Sequence, residues 1–165
     1  MDRGQIALKL SLESLGLEFR IDTFEARLIL QKAVYLAQAA GVHLGYYYQW
    51  YLHGPYSPSL TKDAYAMSLE LDSGMGDSTG WKLGEQSKQL LVRLRDIFAC
   101  KESPKDKARR LELLASVHFL IDYRQTPATD IKKICEILTR FNKNFTEAEI
   151  QQAIEHLGEY GLLKN

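Results

Sequence analysis

Apolar residues recur at helical spacing along most of this chain, and in one segment the period shortens to two. Near the N-terminus, Ile6 and Leu10 fall on one side of a helix and Leu8, Leu12 and Leu15 on another. Asp2 and Gln5 stand ahead of them at capping-box spacing, and Gly16 marks a stop. Asp22 and Glu25 repeat the capping spacing. After them Leu28, Ile29, Leu30, Ala33, Val34, Leu36 and Ala37 leave few polar positions before Gly41. A helix apolar nearly all round belongs at the centre of its domain.

From Tyr46 the pattern is that of a strand. Tyr46, Tyr48, Trp50 and Leu52 are expected on one, dry face, with Tyr47, Gln49, Tyr51 and His53 on the other. Gly54-Pro55 is expected to break the strand. Ser57-Pro58 then starts a helix carried by Leu60, Ala64, Met67 and Leu71, with serine as N-cap and proline at the first helical position. The glycines between Asp72 and Gly80 predict a surface loop, read as a hairpin or wing tip, and Trp81-Lys82-Leu83 is expected as a short strand pairing with the aromatic one.

Helical spacing returns from Leu83 through Leu90, Leu94 and Phe98, and again from about Lys105 through Leu111, Leu114 and His118. Thr129 or Asp130 caps a helix holding Ile131, Ile134, Cys135 and Leu138. Thr146 and Glu149 form a capping box ahead of Ile150, Ala153 and Leu157, and the last helix is expected to end near Gly161. No internal repeat, long heptad run or low-complexity segment interrupts the chain. The pattern predicts a mainly α fold: one compact domain over 1–165, of about seven helices with a short, winged-helix-like β-hairpin and a helical C-terminal part from about residue 105.

Composition narrows the function classes. The chain has 165 residues, with 21 Lys plus Arg against 21 Asp plus Glu, so it lacks the net basic footprint typical of nucleic-acid binders. No apolar run reaches membrane-span length and no secretory leader is apparent, which makes a cytoplasmic location the expectation and excludes a membrane role. Cys100 and Cys135 fit no metal or disulfide pattern and are expected to be reduced packing residues.

Few residues stand at spacings that carry chemistry. The Gly74–Gly80 loop matches neither phosphate-binding glycine motif, and His43, His53, His118 and His156 have no partner at metal-ligand spacing. No nucleophile elbow is present. Arg110 and His118 are separated by too many residues for a HEPN-type ribonuclease pair, so His118, among Val117, Phe119 and Leu120, reads as a core or boundary histidine. No cofactor is implied. The run Lys101, Lys105, Lys107, Arg109 and Arg110 is a candidate phosphate contact, because basic residues at a helix start oppose the helix dipole and invite another explanation.

Leu30-Gln31-Lys32 followed by Tyr35-Leu36, then a Trp50-containing strand running into His53-Gly54-Pro55-Tyr56-Ser57 and Leu60, resembles the YwgA-like and Panacea (SocA-like antitoxin) group of small prokaryotic proteins. The resemblance covers about residues 24–70. It implies a mostly helical domain with a small β element, acting as a toxin-neutralising module or as an adaptor that delivers a partner to a protease. The aromatic richness of Tyr46–Tyr51 and the Tyr56-Ser57 pair are nearer the YwgA-like branch, and residues 100–165 carry no Panacea motif.

Gln31 and Lys32 are polar residues in a helix that otherwise reads as buried, so each must reach the surface or find partners. In one account Gln31, Lys32 and Tyr35 hydrogen-bond to the Gly54-Pro55 turn. In the other they line a groove with Tyr47, Tyr51, His53, Gly54, Pro55, Tyr56 and Ser57. Six of the nine tyrosines lie between Tyr46 and Tyr65, more than one strand needs for packing, and Tyr and Trp favour interfaces. The leading expectation is a non-enzymatic protein-interaction module for a protein or peptide partner. The alternative is a DNA-binding regulator, since Asp130–Phe141 and Thr146–Gly161 look like a helix-turn-helix, although Lys164 is the only Lys or Arg after Thr146. An aromatic pocket using His53 or a tyrosine as acid or base is the third possibility.

Overall fold

Six of the seven helices begin at a side chain that takes up a free N–H group; the fourth begins at Gly84 and has no such cap. Two of the six do so through complete capping boxes, Asp2 with Gln5 and Thr146 with Glu149. In the computed structural model, which describes residues 1–164, the elements run α1 (Arg3–Ser14), α2 (Phe24–Ala39), β1 (Gln49–Tyr51), β2 (Gly54–Tyr56), α3 (Pro58–Asp72), α4 (Glu85–Phe98), α5 (Pro104–Asp122), α6 (Ile131–Arg140) and α7 (Glu147–Glu159). Ser57 caps α3 with Pro58 at the first position, Asp130 caps α6, and α1 and α7 stop at Gly16 and Gly161 with positive φ. The fold is therefore mainly α, one compact domain with a two-stranded hairpin.

Three local expectations are corrected. Thr23, not Asp22, caps α2: its hydroxyl accepts from the Ala26 N–H at 3.0 Å, while Asp22 is held by Arg20 at 2.7 Å. Gly54-Pro55 does not end the β element but forms its second strand, turning at Leu52-His53 and pairing Gln49 with Tyr56, Trp50 with Pro55 and Tyr51 with Gly54. Trp81–Leu83 pairs with neither strand and stays irregular, and the Gly74–Gly80 segment is a connection between α3 and α4, not a wing tip. The expected face alternation holds for Tyr46 and Tyr48, buried, and Tyr47, exposed; it fails at Leu52, which the turn carries into solvent.

Helices α2 and α5 form the axis of the core and share the most extensive helix–helix interface. Residues Leu30 to Ala37 of α2 are all buried, as are Leu111 to Leu120 of α5. Helix α7 packs on α5, α6 on α7, and α1 on α4, while β2 lies across both α2 and α5. Gly54 makes that approach possible: its φ is +82°, and a Cβ there would stand 2.2 Å from the Ser116 hydroxyl. His118 is a core residue, as its neighbours suggest. Its Nε2 donates to the Leu162 carbonyl at 3.0 Å and its Nδ1 accepts from the Tyr35 hydroxyl at 2.7 Å, tying α2, α5 and the segment after α7 together. Burial holds the imidazole below its ordinary pKa, in keeping with this neutral tautomer. Of the cysteines, Cys135 is half-buried beside Phe145, but Cys100 is exposed beyond the end of α4 and does not pack.

Candidate functional site

The outer side of α2, the hairpin and the first turns of α3 enclose a cavity of about 320 Å³. Helix α2 supplies Phe24, Arg27, Leu28 and Gln31 at the i, i+3, i+4, i+7 spacing of one helix face. Helix α3 supplies Thr61, Ala64 and Tyr65, and the hairpin supplies Tyr51, Leu52, His53 and Tyr56. Phe24 meets the His53 ring edge-on at 5.2 Å and Tyr51 lies 5.4 Å from Tyr56, so the rim is built of touching rings.

Two polar side chains of α2 set the hairpin in place. The Gln31 amide works as a two-way clamp: its Nε2 donates to the Ser57 carbonyl at 2.9 Å, and its Oε1 accepts from the Ser57 N–H at 3.0 Å. The same Nε2 donates to the Thr61 hydroxyl, which in turn donates to the Tyr56 hydroxyl. Lys32 Nζ donates to the Pro55 carbonyl at 2.7 Å. On the other side Lys143, in the loop between α6 and α7, donates to the Leu52 carbonyl at 2.7 Å and pairs with Glu112 of α5, which also accepts from His53 at 3.3 Å. A three-residue ladder is too short to hold a hairpin alone; buried groups from α2, α5 and the α6–α7 loop do the anchoring.

Desolvation pushes the Lys32 ammonium down to about 7, against the opposing pull of Glu112. Burial also raises the phenols of Tyr35 and Tyr48, and Tyr46 is raised by burial together with its hydrogen bond to Asp63. These tyrosines stay neutral and act as packing and hydrogen-bonding groups.

The residues expected at the site thus divide. Gln31, Lys32, Tyr51, His53 and Tyr56 line the cavity. Gly54, Pro55 and Ser57 shape it from behind as buried residues. Tyr35 does not reach the turn; it packs edge-on against Tyr48 at 5.1 Å and bonds to His118. Tyr47 is 77% exposed but outside the cavity lining. Phe24, Arg27, Leu28 and Tyr65 were not anticipated, although the stripe Phe24, Leu28, Gln31 was readable as one helix face. The hydroxyl of Ser57, behind the cavity, caps α3 and otherwise meets the Ser59 hydroxyl.

The basic run has a structural explanation for three of its members. Lys107 donates to the Phe98 carbonyl and Arg110 to the Ile97 carbonyl, at 2.9 and 2.8 Å, so both cations complement the C-terminal end of α4. Arg110 also pairs with Glu102, and Arg109 pairs with Glu149 at 2.6 Å while lying 4.5 Å over the Phe145 ring. Lys101 and Lys105 remain at the surface. The exposed side of α7 carries Glu147, Gln151, Gln152, Glu155 and Glu159, a poor match for a DNA backbone.

Searches against family models, curated proteins and solved structures return no match to this chain. Among the described residues, no helix is long and apolar enough to cross a membrane.

Proposed function

We propose that this protein is a cytoplasmic binding module without chemistry of its own, which seats an apolar segment of a protein partner between α2, the hairpin and α3. The observation that carries this reading is the ring of large apolar side chains left in solvent around a preformed cavity: Phe24 and Tyr65 are each 50% exposed, Tyr51 53% and Leu52 67%. Single exposed apolar residues are ordinary, whereas a contiguous set around a concavity is characteristic of recognition sites. The hairpin that presents Tyr51 and Leu52 is anchored from beneath by Lys32 and Lys143, which limits the ordering entropy lost on binding. The resemblance to the YwgA-like and Panacea group gives the module its particular form, an antitoxin or a protease adaptor.

The test is site-specific photocrosslinking in the native host, with benzoylphenylalanine in place of Tyr51 and, as control, of exposed Val92 on α4. The reading requires a discrete protein adduct from position 51 that is absent from position 92 and abolished by Leu28→Arg in the cavity wall. Equal labelling at both positions, or none at position 51, counts against it.

A further inference from the structure

The cavity is apolar in most of its lining but not in its charge. Arg27, Lys32 and His53 contribute to the wall, and no Asp or Glu does. Lys32 is 1% exposed, yet its ammonium makes one hydrogen bond, to the Pro55 carbonyl, and no ion pair among the described residues. Two of its three donors are left without a partner. The nearest compensating carboxylate, Glu112, is already taken on one oxygen by Lys143 and on the other by His53. Arg27 commits one guanidinium nitrogen to the Ile21 carbonyl and has further donors free. A buried cation with unmet donors is costly, and an anion brought into the adjoining space would offset that cost.

From this charge pattern we infer that the groove binds the C-terminus of the partner polypeptide: the last side chain, apolar, fills the cavity, and its free α-carboxylate is held by the positive field of Arg27 and Lys32. This deepens the binding-module reading above and rests on it. A terminal residue is the one part of a peptide that joins an apolar body to a formal negative charge without a chain continuing beyond it. The volume, about 320 Å³, holds one or two residues and excludes a helix. The exposed rings of Tyr51, Tyr65 and Phe24 continue past the mouth, giving the preceding residues a surface to lie on, which a small free acid would not need.

The experiment is fluorescence polarisation with three labelled hexapeptides ending in Leu, Phe or Trp, each as free acid and as C-terminal amide, with phenylpropionate as competitor. At least one free acid should bind at least about tenfold more tightly than its amide. Arg27→Gln, a change at the rim that does not disturb the core, should shrink that ratio, and Lys32→Met, which also releases the Pro55 carbonyl, should shrink it too. Equal affinity for acid and amide overturns the inference, as does the absence of binding by all three acids below about 1 mM. Phenylpropionate binding as tightly as the best peptide overturns it too, in favour of a small-molecule acid. If any of these outcomes accompanies an intact crosslink from position 51, the carboxylate reading fails and the binding module stands.

Discussion

Substituting Gly54 by alanine should uncouple the hairpin from α5, and the geometry separates the cost into two parts. The first is conformational: Gly54 has φ +82°, where an L-residue is disfavoured by about 1–2 kcal/mol. The second is steric, since the new methyl would lie 2.2 Å from the Ser116 hydroxyl oxygen and 3.3 Å from its Cβ, and overpacking of this kind costs about 1–3 kcal/mol. Gly54→Ala is therefore expected to lose roughly 2–5 kcal/mol of stability. The Ser116 hydroxyl is buried with no hydrogen-bond partner among the described residues, so Ser116→Ala alone should fall within about 1 kcal/mol of the parent. Combined, the two changes should recover most of the steric part and none of the backbone part, a coupling of about 1–3 kcal/mol. Urea denaturation followed by tryptophan fluorescence measures all four members of the cycle, with Trp50, packed on Phe119 and Phe141, reporting from the hairpin itself. A Gly54→Ala loss below about 1 kcal/mol, or a double variant no more stable than the single one, would refute the close approach as the reason for glycine.

Three further outcomes follow from the buried charges. Glu112→Gln leaves the Lys143 ammonium buried without its carboxylate and should cost about 3–5 kcal/mol of unfolding free energy measured by denaturant titration, whereas Glu112→Leu with Lys143→Met should recover most of it. Burial depresses the His118 pKa, so below about pH 6.5 the unfolded chain takes up a proton that the folded imidazole resists; stability should fall with acidification by up to about 1.4 kcal/mol per pH unit, a slope reduced in His118→Gln. Lys32 titrates near 7 in the fold against 10.5 ordinarily, so across that interval the unfolded chain holds the extra proton and stability should rise with pH; parallel profiles for Lys32→Met and the parent would contradict this.

Local chemistry was enough to set the helices. Capping residues, prolines at first helical positions and terminating glycines act within four residues, so α1, α3, α6 and α7 could be placed from the chain alone. The central place of α2 followed from its apolar run, interrupted by few polar positions, and the split between buried Tyr46 and Tyr48 and exposed Tyr47 followed from the period of two. What the chain could not disclose was every arrangement that depends on a distant partner. Gly54-Pro55 reads as a break, and it became a strand because Ser116, 62 positions later, leaves room for a bare backbone and Lys32 receives the Pro55 carbonyl. The basic start of α5 reads as a misfit against its own dipole; it is explained by the carbonyls at the end of α4, brought alongside by packing. The charge of the groove was decided in the same way, because Glu112 meets Lys143 and His53 only once three separate segments converge, and that leaves Lys32 the cation without an ion pair in this buried cluster. Hydrogen bonds and ion pairs have a reach of a few ångströms in space and none along the sequence, so their bookkeeping belongs to the tertiary structure.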